Sequence, residues 1–150
     1  TDLLARGDYN CVSGTAFYAL ALKRLGFAVQ IVETPFHCYL RVLMDGDTLL
    51  LEATAGRAGL LLRPAEVRAA EARYEADARR ALQLDGLPSP LPRLRHPVDL
   101  ASLCGLQYYN LGVAYYNRRQ LAAAQAAIQT SYQYYPSRRA ATLWKQIRRQ

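Results

Sequence analysis

Apolar positions crowd together near the N-terminus and then give way to short β-branched stretches. Asn10 precedes Val12, Ala16, Phe17, Ala19, Leu20 and Leu22, with Lys23 and Arg24 closing the run and Gly26 just beyond. A capping side chain, helical spacing, a basic last turn and a glycine stop predict a helix. Its middle, 16–22, is apolar on nearly every side, so burial all round is expected, with other segments wrapping it.

Phe27 to Glu33 is apolar and β-branched, and Pro35 ends it. His37 to Met44 and Asp47 to Ala53 flank Asp45-Gly46, a dipeptide that signals a two-residue hairpin loop. With that loop, Met44 faces Asp47, Tyr39 faces Glu52 and His37 faces Thr54. Residues 1–63 therefore read as an α+β unit, a buried N-terminal helix plus antiparallel strands.

Pro64 opens a long helix from Ala65 to roughly Leu84, with Glu66, Glu71 and Glu75 interleaved with Arg68, Arg73, Arg79 and Arg80. Alternating charge predicts a largely solvated helix with one apolar edge. Four prolines between Gly86 and Pro97 mark a linker, so 64–97 reads as helix plus linker and a boundary is expected near 86–97. His96 falls in that linker.

From 98 to 150 the spacing turns helical again, with Tyr108, Leu111, Gly112 and Tyr115, then Ala124, Ile128, Ser131 and Pro136. This stretch, about 105–138, resembles one tetratricopeptide repeat, an α-helical hairpin in which Gly112 and Ala124 stand where two helices approach closely. Leu143, Trp144 and Ile147 suit a capping helix. One repeat cannot bury its own apolar faces, so docking on the N-terminal body is expected.

Length and composition fit globular folding: 150 residues, 51% hydrophobic and 21% charged. No run approaches the roughly 20 apolar residues that a membrane-crossing helix needs, and no export signal is visible. The chain opens at Thr1 without an initiator Met and enters a motif almost at once, which suggests processing or truncation and leaves localisation unread. The net charge of +7 is uneven, because residues 98–150 carry seven Lys/Arg against one acid. Three cysteines, Cys11, Cys38 and Cys104, form no Cys-x-x-Cys pair, which argues against a disulfide framework and a closed zinc site.

Candidate chemistry gathers on three residues from separate segments. Cys11 follows the proposed cap, so its sulfur lies at the positive end of a helix, where a thiolate is favoured and a thiol pKa can fall from about 8.5 to roughly 3.5–7.5. His37 is the first imidazole in the chain. In the predicted register His37 and Glu52 share a sheet face as diagonal neighbours about 7–8 Å apart, close enough for the carboxylate to orient the ring while its other nitrogen serves Cys11. Asn10 or the Cys11 N–H would stabilise an oxyanion. Gly14 would make room for the His37 strand beside Cys11, or simply pack tightly, and Cys38 reads as core.

Asn10-Cys11 opening a helix that ends in Leu25-Gly26-Phe27, then Thr34-Pro35-Phe36-His37 and Leu51-Glu52-Ala53-Thr54, resembles the core of the transglutaminase-like superfamily of papain-fold thiol enzymes over about residues 8–56. The resemblance implies a papain-like α+β core followed by helices, and a Cys11, His37 and Glu52 triad that cleaves or exchanges amide bonds without a cofactor. The third station usually holds Asp; here it is Glu52. A peptidase, deamidase or acyl transferase acting on a peptide or protein is the leading expectation. The alternative is a non-catalytic scaffold with a degenerate triad. Interleaved tyrosines and arginines at 108–149 form a basic face that is either simply solvated or holds an acidic protein partner; no nucleic-acid motif is present, so nucleic acid is not expected.

Overall fold

The computed structural model describes residues 7–84 and 94–150. The described chain is α+β, with five α-helices and a five-stranded antiparallel sheet, and it divides into two compact units between Val98 and Asp99.

In the first unit, helix α1 (Cys11–Arg24) starts with a capping box: Ser13 N–H donates to Asn10 Oδ1 at 2.9 Å, and Asn10 N–H donates to Ser13 Oγ at 3.1 Å. It ends where Gly26 takes φ +87°. There Phe27 N–H donates to Leu22 O at 3.0 Å and Gly26 N–H to Lys23 O at 3.1 Å, a Schellman closure that needs glycine's freedom.

Strands β1 (Ala28–Glu33), β2 (Cys38–Met44), β3 (Asp47–Leu51), β4 (Leu60–Leu61) and β5 (His96–Val98) lie in the order β4-β3-β2-β1-β5. Met44 pairs with Asp47 and Leu40 with Leu51, so the hairpin register follows from Asp45-Gly46. The ladder stops there, leaving His37 one residue before β2 and Glu52 one residue after β3. Helix α2 (Pro64–Ala81) places Val67 and Ala70 on Val32, Tyr39 and Leu50, with Tyr74 beside them. On the opposite sheet face Thr15 of α1 donates from Oγ1 to Cys38 O at 3.3 Å. Strand alternation thus puts one helix on each face, since Cys38 and Tyr39 point opposite ways.

Two expectations change. Helix α1 is not buried all round: Phe17, Tyr18 and Leu20 are exposed, and only Val12, Gly14, Thr15 and Ala19 are buried. A helix laid on a sheet buries one stripe, however apolar the rest of its surface is. His96 belongs to no linker, because β5 pairs with β1 with Glu33 opposite His96. Pro97 is tolerated there because β5 is an edge strand. The predicted linker otherwise falls mostly on residues 86–93, outside the described residues.

The second unit holds α3 (Leu100–Asn117), α4 (Leu121–Tyr134) and α5 (Arg138–Ile147). Asp99 caps α3 through Ser102 N–H at 2.7 Å. Ala124, Ile128, Ala140, Leu143 and Ile147 form its core. A Cβ at Gly112 would lie 2.7 Å from Ile128 Cγ1, so the absence of a side chain lets α3 and α4 approach. Tyr108 and Leu111 are exposed, while Tyr115 packs against the core. Among the described residues no helix is long and apolar enough to cross a membrane.

Candidate active site

Cys11, His37 and Glu52 come together at the end of the sheet. Cys11 is the first residue of α1, held there by the Asn10–Ser13 box, and its own N–H and that of Val12 have no acceptor within the helix. The Asn10 side-chain oxygen accepts in this cap, and the backbone N–H groups of Cys11 and Val12 are donors at the helix start. His37 is fixed by the Thr34 turn: Thr34 donates to His37 O from its N–H at 2.7 Å and from Oγ1 at 3.0 Å.

His37 Nε2 bonds Glu52 Oε2, and the other imidazole nitrogen is left for Cys11. Glu52 is 8% exposed and well satisfied. Its Oε1 accepts from Thr54 N–H at 2.7 Å and Thr54 Oγ1 at 2.5 Å, and its Oε2 accepts from Tyr74 OH at 3.3 Å. The Glu52 backbone N–H donates to Gly59 O at 2.7 Å, and any side chain at Gly59 would strike the Glu52 carbonyl. These contacts hold the carboxylate in place against the ring.

Electrostatics follow the geometry. A hydrogen bond from the Cys38 thiol, together with the hydrogen bond and charge of His37 and the Cys38 backbone, overcomes desolvation and lowers the Cys11 pKa to about 4. Burial pulls His37 down, but its hydrogen bond to Cys11 and the charges of Glu52 and Cys11 outweigh that and raise it. Both shifts favour the thiolate–imidazolium form of the pair. The Cys38 thiol moves the other way, raised by its hydrogen bond to Cys11 and by burial.

Cys38 and Tyr74 are the residues that sequence reasoning missed. Cys38 is core, as expected, but its sulfur also meets Cys11; Thr15 lies one turn after Cys11 on the same helix face, and Cys38 Sγ approaches Thr15 Oγ1 at 3.7 Å. Tyr74 comes from the helix read as mainly solvated. Its ring is 5.1 Å from that of His37 and 5.2 Å from that of Tyr39. The spacing Val67, Ala70, Tyr74, Ala78 was the available signal. Gly14 faces Ala53 and Tyr9, not the His37 strand: a Cβ there would lie 2.7 Å from Ala53 Cβ. The glycine therefore brings the helix start against the segment carrying Glu52.

A cavity of about 330 Å³ opens onto His37 and Glu52, walled by Phe36 and Tyr74 with Arg73 and Asp77 at its side. On the neighbouring strands, His96 Nε2 meets Glu33 Oε2 at 3.0 Å, and Glu33 is 1% exposed. Cys104 lies exposed on α3 in the other unit. No protein-family model, curated protein or solved structure matches this chain.

Proposed function

We propose that the protein is a thiol-dependent amide-bond enzyme, a peptidase, deamidase or acyl transferase on a transglutaminase-like, papain-type core, with tetratricopeptide-like helices following it. One observation carries this reading: a capped helix begins at Cys11, whose sulfur bonds an imidazole that a carboxylate holds from behind.

Cys11 Sγ would attack the carbonyl carbon of a peptide bond or side-chain amide, and the oxyanion would form against the N–H groups of Cys11 and Val12. The His37 imidazolium would give its proton to the departing nitrogen as the tetrahedral species collapses to a thioester. Neutral His37 would then take a proton from water, or from an amine, as that nucleophile attacks the thioester and Cys11 leaves. Glu52 would keep the ring oriented throughout and stabilise its charged form. The seven Lys/Arg of residues 98–150 support an acidic protein segment as partner of the helical unit.

Competitive alkylation tests the site. With iodoacetamide at pH 6, Cys11 should react much faster than Cys38 and Cys104, a peptide vinyl sulfone should label it selectively, and His37→Ala should slow alkylation by at least about tenfold. Equal, sluggish labelling of all three thiols, unchanged by His37→Ala, would leave the non-catalytic scaffold as the better reading.

A further inference from the structure

We propose that Cys11 and Cys38 form a reversible disulfide when a hydroperoxide oxidises Cys11, so that the thiol beneath the nucleophile acts as its resolving partner. The inference uses only the sulfur chemistry of the site and does not rest on amide-bond catalysis. Cys11 and Thr15 are stacked on one face of α1, and Cys38 Sγ packs against Thr15 Oγ1 at 3.7 Å, so the Cys38 sulfur faces the helix turn that carries Cys11, and each thiol shifts the titration of the other. The Thr15 Oγ1 bond to Cys38 O at 3.3 Å ties the helix to the strand at this point. The Thr15 contact therefore places the two sulfurs on the same helix–strand junction, one partly accessible and the other 1% exposed.

The exposures set the order of events. The Cys11 thiolate attacks the distal oxygen of the hydroperoxide, the O–O bond breaks, and the departing oxyanion takes a proton as water or alcohol; Cys11 becomes a sulfenic acid. Cys38 is shielded from the oxidant itself. Its thiol is held protonated chiefly by hydrogen bonding to the Cys11 thiolate and by burial, and the first of these causes vanishes once Cys11 is neutral. Cys38 sulfur then attacks Cys11 sulfur, the S–O bond breaks, and hydroxide leaves with the Cys38 proton as water. A dithiol reverses the process by exchange. The consequence is protection, because a sulfenic acid with no thiol beside it proceeds to irreversible sulfinic acid.

The test treats reduced, full-length protein with a small excess of hydrogen peroxide. Titratable thiols in denaturant should fall from the three of the sequence to one, the tryptic peptides 7–23 and 25–41 should be joined, and dithiothreitol should restore all three. In Cys38→Ala, dimedone should mark Cys11 instead. Wild-type protein in which dimedone or sulfinic acid accumulates at Cys11 while Cys38 remains alkylatable overturns the proposal, as does a link to Cys104. The wild-type peptide map alone decides the question if Cys38→Ala fails to fold, and rapid alkylation of Cys11 without any Cys11–Cys38 link would defeat this inference while sparing the proposed enzyme.

Discussion

At Cys11 two proton equilibria are tied together. A thiol whose pKa is depressed on folding contributes stability that is present above its unfolded value and lost as pH falls through about 4. His37 is raised, so its contribution is complete below about 6.5 and is lost as pH climbs through the folded value. The ion pair is populated between those limits. The acid limb of Cys11 alkylation should accordingly have its midpoint near 4, whereas a free small thiol loses about tenfold per pH unit below about 8.5. Cys38→Ala should move that midpoint upward, since the Cys38 hydrogen bond is the largest cause of the depression. Glu52→Gln should lower the His37 midpoint, followed by imidazole proton NMR, because the carboxylate charge helps to hold it up. An unmoved His37 titration would mean that Glu52 has no electrostatic hold on the ring.

Individual elements show how local signals and packing divide the work. The start and stop of α1 were legible because a capping asparagine, a basic last turn and a glycine stop are written in neighbouring residues, and the β2–β3 register was legible because Asp45-Gly46 leaves one way to pair the flanking strands. Strand β5 was not legible: three residues containing proline carry no strand signal of their own, and their pairing comes from β1. Gly14 separates the two kinds of information. Helix propensity alone favours Gly14→Ala by about 1 kcal/mol, but the added methyl meets Ala53 Cβ at 2.7 Å, between a helix and a backbone that cannot rotate away. We expect Gly14→Ala to destabilise by about 1–3 kcal/mol in urea unfolding, and Ala53→Gly to restore most of the loss. Stabilisation by Gly14→Ala alone would contradict the close approach.

For the molecule as a whole, charge and chemistry are segregated: the thiol site belongs to the unit ending at Val98, and seven basic residues against one acid mark the remainder. A glutamate-rich peptide should bind the full chain and be released between about 50 and 300 mM salt, as screening shortens the reach of exposed charges. Salt-independent retention, or tighter retention of an oligonucleotide, would reject the acidic-protein partner. The helical unit was readable as paired helices from the spacing of Gly112, Ala124 and Ile128, where small and branched residues must interlock. The sequence by itself determined the start and stop of α1, the hairpin register and the three residue types of the candidate site, because these depend on side chains a few positions apart or on arithmetic along two paired strands. Only the tertiary structure decided that Tyr74 braces Glu52, that Cys38 packs on Thr15 one turn from Cys11 and that His96 meets a buried Glu33, because each contact joins segments whose separation along the chain carries no spacing signal and is closed by packing on the two faces and the edge of one sheet.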